Sequence, residues 1–530
     1  MTPIISSLWT NSSEHFDVFK NADTIAARFD NPDLARAIAA AVETAFVRGQ
    51  TIGTTPPPPD PDPTPDPDPD PNPDPDPDPN PADPDPTTTS NPRGTQSEPN
   101  LAEPLRSIDW GWEVADQLPE TAASHDIRVY FVPGGETVTY EYSNGFSLVQ
   151  ESMTATSWST AETAAAMSAF EEFENVADLN FIQVSDIDNA DFVMVEGTNV
   201  GGLGFFLIGD SNVTVGDTTL LSNGVGVFDN SSSNSAWNAA GLAQGGYAFL
   251  TLVHEIGHGV GLAHPHDNGG SATVMEGVTS AFGDYGTHGL NQGVFTVMTY
   301  NDGWADGPNG PVNPSAGYGF NGGLMTLDIA VLQDTYGANT TTGAGDTTYV
   351  LPEQNEAGTF YSAIWDVSGT DTMVYNGEDN AIIDLRAATL LDDDTAGGFI
   401  SYAAGIHGGF TIANGVVIEN GTGGNGDDTI TGNAADNVLT GNAGDDNLTG
   451  GEGADTFVFL ADTGDDTITD FADDEDRLQL EFAGAIADSD AAMGFASQVG
   501  NNVVFDFNAD GTVTVEDITI AEISDDVFVA

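Results

Sequence analysis

Residues 251–264 read TLVHEIGHGVGLAH. On a helix, His254 and His258 stand one turn apart on one face, so two imidazoles can hold one Zn2+. Glu255 adjoins the first of them, where its carboxylate can take a proton from metal-activated water. Gly261 lets the backbone leave the helix and brings His264 round as a third ligand. Three protein nitrogens leave one position open, as a catalytic zinc requires. A bare HExxH occurs in many helices that bind nothing; HExxHxxGxxH is far more demanding. Four of the eight histidines lie between His254 and His266 in an otherwise apolar stretch, which argues against ordinary core or surface imidazoles. The pattern does not need His266, which we assign to an exposed loop after Pro265. Downstream, FTVMTYN carries Met298 and Tyr300; taken alone, Met298 reads as core filler.

A second pattern begins at Gly423. Four nine-residue units follow without a gap: GGNGDDTIT, GNAADNVLT, GNAGDDNLT and GGEGADTFV. Each starts with Gly, has Asp or Asn sixth (Asp428, Asn437, Asp446, Asp455) and an aliphatic or aromatic residue eighth (Ile430, Leu439, Leu448, Phe457). A nine-residue period with one buried residue per unit is the pattern of a parallel β-helix whose turns bind Ca2+. Glycines such as Gly424, Gly426, Gly444 and Gly453 let the turn backbone face inward, and Asp side chains of stacked turns complete an oxygen cage. The alternative is a metal-free Gly/Asp loop tract. Asn437 in place of Asp removes a charge and is expected to weaken one site.

HEIGHGVGLAHP, VMTY, MTLDIAVLQDTYGAN (Met325 to Asn339), AIWDVSGTDT (Ala363 to Thr372), VIEN (Val417 to Asn420) and the four repeats together resemble the serralysins, calcium-dependent secreted zinc proteases among the metzincins. The resemblance begins near residue 105 and runs to the C-terminus. It implies an α+β fold: a metzincin-type catalytic domain, with a twisted mixed sheet plus helices, followed by a parallel β-roll. It implies Zn2+ on His254, His258 and His264, with Tyr300 as a further ligand that swings off when substrate arrives and supports the oxyanion. Met298 would form the Met-turn beneath the metal, with Thr299 where the family has Ser. Glu255 would act as general base and then as proton donor to the leaving amine. Gly224–Phe228 (GVGVF) is similar to the edge strand that holds an extended substrate. Calcium ligands outside the repeats would be Gly343, Gly345, Thr347, Asp366, Gly369, Asp371 and Glu419, with Ser368 and Val417 departing from the family pattern. The implied activity is hydrolysis of proteins or peptides outside the cell by a monomer that leaves through a type I secretion apparatus. Its competitor is a secreted calcium-binding surface or matrix protein with a vestigial protease domain. Completeness of the zinc set speaks against that competitor.

The elements that must position these groups follow from periodicity. RVYFVPGG and DFVMVEG read as strands, and TAETAAAMSAFEEFENVA as an amphipathic helix of about five turns. After residue 340 or so the texture changes to short β-prone runs broken by Gly, Asn and Asp. We therefore expect a catalytic domain over 101–339 and a β-roll domain over 340–530. Residues 1–53 hold a helical segment with a Leu34, Ile38, Val42 and Phe46 stripe, either a docking or propeptide element or a plain appendage. Residues 54–100 form a linker whose Pro56–Pro86 tract alternates Pro with Asp and is expected to be extended polyproline II.

Composition narrows the partners. The 530 residues contain 83 Asp and Glu against 9 Lys and Arg, a formal net charge of -74. Such a chain is repelled by phosphate backbones and anionic bilayers, which excludes nucleic acid and favours cations or saline surroundings. Cys is absent, so metal must sit on His, carboxylate, Tyr or backbone oxygen. No apolar run is long enough to insert in a membrane, and the N-terminus lacks a cleavable export signal. The ending SDDVFVA fits an uncleaved C-terminal export signal. Asp506, Asn508, Asp510, Gly511, Thr512, Thr514 and Asp517 match an EF-hand loop, but the alternating β-branched flanks favour a β-hairpin.

Overall fold

The structure, a computed structural model, describes residues 101–111, 125–143, 148–198, 200, 203–231, 236–270, 272–313, 317–460, 464–482, 486–508 and 511–529. The expected N-terminal helix and the Pro/Asp tract lie outside the described residues.

Seven strands build the first sheet: β1 (His125–Phe131), β2 (Thr137–Ser143), β3 (Leu148–Thr154), β4 (Leu179–Gln183), β5 (Phe192–Gly197), β6 (Gly204–Val215) and β7 (Thr218–Asp229). Their order is β3-β2-β6-β7-β5-β1-β4. Pairing is parallel among β4, β1, β5 and β7 and antiparallel among β7, β6, β2 and β3, so the sheet is mixed. β5 is buried along its whole length because both sheet faces are covered. Phe192 and Met194 join the main core beneath the helices, and Val193 and Val195 a second cluster on the opposite face.

Helix α1 (Thr160–Val176) starts at a reciprocal cap, with Ser159 Oγ accepting the Glu162 N–H and Glu162 accepting the Ser159 N–H. It buries Ala166, Ala169, Phe170 and Phe173 against the core. Helix α2 (Tyr247–Gly259) is buried from Ala248 onward, which explains why its sequence is apolar all round except at the metal motif. Helix α3 (Thr326–Tyr336) runs behind it, and the Tyr336 hydroxyl donates to the Val260 carbonyl just past the end of α2, at 2.6 Å.

From Thr348 onward the chain forms two stacks of short, mostly parallel strands. The stacking interval within the repeats is two nine-residue units. Gly421, Leu439, Phe457, Leu478 and Val527 lie in register on one stack, and Ile383, Ile430, Leu448, Ile468 and Val515 on the other. All four eighth-position residues are fully buried between the stacks, each worth about 1.5–3 kcal/mol of apolar burial. Asn502–Asp506 pairs antiparallel with Gly511–Val515, so the EF-hand-like string is a hairpin, not a loop between helices. The catalytic part and the roll are knitted together. Gly322 and Phe320 exchange backbone hydrogen bonds with Tyr361, Thr326 Oγ1 donates to the Gly397 carbonyl, and Trp304 packs edge-on against Tyr402.

Candidate active site

The zinc motif is held on three sides. His254 and His258 project from α2; Gly261, at φ +100°, turns the chain, and Leu262 returns a hydrogen bond to the Gly257 carbonyl. His264 then faces back toward the helix. The Ile108 carbonyl and the Trp110 N–H pair with Ala263 and Gly261, fixing the segment that carries His264.

Each imidazole has its Nδ1 committed. His254 Nδ1 donates to the Val297 carbonyl at 2.8 Å, His258 Nδ1 to the Leu262 carbonyl at 2.9 Å and His264 Nδ1 to Asp267 Oδ2 at 2.8 Å. Those partners only accept, so the protons sit on Nδ1 and every Nε2 presents a lone pair. The three Nε2 atoms converge: His264 Nε2 lies 3.2 Å from that of His254 and 3.0 Å from that of His258. Three lone pairs this close repel one another unless a cation stands between them. Tetrahedral zinc with bonds of about 2.0–2.1 Å requires nitrogens about 3.3–3.4 Å apart, so the set fits the metal. Burial, the largest cause, pushes His254 down to about 4 and His258 well below its ordinary value, keeping both in the neutral, ligating form.

Below the histidines runs the segment expected to be a Met-turn. Met298 is fully buried, and a Cβ on Gly257 would stand 2.8 Å from its sulfur. Asp328 of α3 holds this segment, accepting from Thr296 Oγ1, the Val297 N–H and the Met325 N–H at 2.6, 2.8 and 3.0 Å. The Thr299 hydroxyl is accommodated, donating to Asn291 Oδ1 and accepting the Asn301 N–H. The Tyr300 ring lies 4.8 Å from that of His264 and 5.8 Å from that of His254.

Glu255 is buried against β6. A Cβ on Gly204 would come 3.2 Å from its Cγ, and the Phe206 N–H donates to its carboxylate. Burial pushes this carboxyl up to about 8, making it a stronger base than one in water.

Two sequence expectations require correction. Gly224–Phe228 is not an edge: it lies in β7, paired parallel to β5 on one side and antiparallel to β6 on the other. The strand beside Glu255 is β6, and β2 pairs only with its Val213–Val215 end. Among the described residues no strand covers the outer side of Gly204–Ile208. Similarity to the family's substrate strand drew attention to 224–228, but a Cβ on Gly224 or Gly226 would crowd the Phe206 ring, so those glycines serve packing. His266 is not in an exposed loop either. Its side chain is 5 % exposed, sandwiched between His264 and Tyr300.

The residues expected to hold calcium are also brought together. Before the repeats, Thr347 N–H donates to Asp371 Oδ1, Asp371 N–H to Glu419 Oε2 and Gly345 N–H to the Ser368 carbonyl, while a Cβ on Gly343 or Gly369 would strike Asp366 or Asp371. Within the repeats the sixth-position side chains form two ladders. Asp428 N–H donates to Asp446 Oδ1, and Asn437 N–H to Asp455 Oδ1. The ladders continue onto Asp466 and Asp476, which sequence reasoning missed because insertions stretch the interval from 18 to 20 and 21 residues. Asp267 and Asp328 were missed too; neither lies in a spacing that announces its role.

Two family models match the chain. The matrixin family model matches residues 139–280, and the Peptidase M10 serralysin C-terminal model matches residues 327–529. Similar curated proteins include Serralysin C of Dickeya chrysanthemi, 34% identical over 35% of this chain and 36% of its own length. Others are serralysin of Proteus mirabilis, 31% identical over 46% and 51%, and serralysin of Photorhabdus laumondii, 29% identical over 51% and 52%. The chain thus spans about half or less of the length of the curated relatives it matches.

Proposed function

We propose that this chain, a serralysin-like metzincin by its matrixin and serralysin C-terminal modules, is a secreted zinc endopeptidase stabilised by calcium. The carrying observation is the convergence of three Nε2 lone pairs, with every Nδ1 proton committed elsewhere, next to a buried Glu255. His254, His258 and His264 would hold zinc, which would supply Lewis-acid chemistry to the attacking water and the scissile carbonyl. Glu255 takes the proton of that water and returns it to the leaving amine. The Tyr300 side chain, beside the histidines, serves as a further ligand and supports the developing oxyanion. An extended peptide adds as a strand along the outer side of Gly204–Ile208, which supplies affinity through backbone pairing and aligns the scissile bond over α2.

Calcium fits the roll on its own chemistry. Asp446 Oδ2 and Asp455 Oδ2 are buried without a hydrogen-bond partner. Burial, followed by neighbouring acids, pushes those carboxyls up to about 8 and about 7. A hard cation among them relieves both penalties and contributes folding free energy. Order around Asp446 and Asp455 would then wait for the calcium-rich medium outside the cell, consistent with one-step type I export. Among the described residues no helix is long and apolar enough to cross a membrane.

The test is casein degradation by the full, calcium-refolded chain. Cleavage abolished by a zinc chelator and restored by added zinc supports the reading. A folded, zinc-loaded chain that leaves casein and peptide libraries intact would favour the non-enzymatic surface protein.

A further inference from the structure

The four repeat turns are chemically unequal. In the turns ending at Asp446 and Asp455, one carboxylate oxygen accepts a backbone N–H from the neighbouring pass, and the buried Oδ2 has no partner. In the first turn Asp428 is already satisfied, its Oδ1 accepting the Ala381 N–H and its Oδ2 the Gly424 N–H. The turn Gly432–Asn437 is closed instead by neutral amides. Asn437, 1 % exposed, accepts the Asn433 N–H on Oδ1 at 2.8 Å and donates Nδ2 to the Glu419 carbonyl at 2.9 Å. Asn433 donates Nδ2 to the Ile418 carbonyl at 2.8 Å and to the Leu385 carbonyl at 3.1 Å, and its Oδ1 accepts the Ala435 N–H at 2.9 Å. Both amides are thereby satisfied, and they tie together three passes of chain, at 385, 418–419 and 432–437. The backbone differs as well. At the fourth position Gly444 and Gly453 take φ +120° and +113°, a region that the Cβ of Ala435 disfavours and that neither Ala435 nor Gly426 of the first repeat adopts.

We propose that the Gly432–Asn437 turn is closed by its own side-chain amides, binds no calcium, and holds the middle of the roll together before calcium arrives. The inference rests on reading the turns of Asp446 and Asp455 as calcium sites. An amide NH2 is a donor whose hydrogens meet carbonyl oxygens that a cation would otherwise coordinate, so the turn's electrostatic demand is met by a neutral group. Rotating the Asn437 amide to offer its oxygen to a cation would break its bonds to the Asn433 N–H and the Glu419 carbonyl together. The replacement of Asp by Asn is therefore a lock, more than a weakened site. In calcium-free chain the segment from Ala381 to Thr440 stays closed, and calcium-dependent order spreads from it toward Asp446 and Asp455.

The test combines calcium stoichiometry of the full chain by titration calorimetry with hydrogen exchange in EGTA and in calcium. Asn437→Ala is expected to bind as many ions as the parent while residues 381–440 exchange about tenfold faster or more in EGTA, through loss of the amide bonds. The triple variant N433G/A435G/N437D gives this turn the Gly, Gly and Asp of the first and fourth repeats and is expected to bind one additional ion and to lose the calcium-free protection. One ion fewer in Asn437→Ala would make Asn437 a ligand and overturn the proposal, as would an unchanged count in the triple variant. A parent that binds no calcium would sink the calcium reading itself and the proposal with it, a result visible before any variant is made.

Discussion

Asp267 carries the most pointed prediction, because nothing in the HExxHxxGxxH spacing names it. Its Oδ2 takes the Nδ1 proton of His264 at 2.8 Å, and both side chains are largely shielded, at 14% and 11% exposed. A hydrogen bond to a charged group contributes about 1.5–3 kcal/mol, and 1.4 kcal/mol is a factor of ten in affinity, so Asp267→Ala should weaken zinc binding about 10–100-fold. Asp267→Asn keeps an acceptor but loses the charge, and should fall between. Competition against a chromogenic chelator, in calcium, reads the affinity directly. Because Glu255 is untouched, activity should return when zinc is added in excess. Zinc affinity of Asp267→Ala within twofold of the parent, in a chain of unchanged melting temperature, would refute the argument that this carboxylate orients His264.

Gly259→Ala should lower the melting temperature although Ala gains about 1 kcal/mol of helix propensity, since the added Cβ would stand 2.8 Å from the buried Phe206 ring. A rise in melting temperature would show that the ring moves aside freely. His288 spans the catalytic part and the roll, donating from Nδ1 to Asp394 Oδ1 at 2.7 Å, and that bond raises its pKa above the ordinary value. A raised folded pKa means stability present below about pH 6.5 and lost as pH climbs through the folded value, so His288→Ala should cost more at pH 5.5 than at pH 8.5. Equal shifts in melting temperature at the two pH values would count against the pair. Asp446→Asn should raise the midpoint of melting in EGTA, by removing a buried like charge, and lower it in calcium; a drop in both would contradict the cation reading of that ladder.

What was legible in the chain were features fixed by local periodicity. The strands β1 and β5, the helix α1 and the nine-residue ladder all read out of short-range patterns, and the burial of Ile430, Leu439, Leu448 and Phe457 follows from the eighth-position rule. What escaped was set by pairing across distance. Whether Gly224–Phe228 is an edge depends on where β6 pairs, which its own residues do not encode. His266 looked like loop because Pro265 precedes it, yet Tyr300 and His264 close over it. Asp328 sits in a largely buried helix whose sequence does not mark it, and only the fold shows it gripping Val297, whose carbonyl orients His254. Asn437 read as a missing charge; its role depends on the Glu419 carbonyl one pass away.

The most direct test of the account is Glu255→Gln in the full chain, with zinc content and casein cleavage measured on the same preparation. One zinc should be retained on His254, His258 and His264, with a melting temperature unchanged within a few degrees and cleavage lowered by about two orders of magnitude or more. Near-normal turnover with zinc in place would contradict the account.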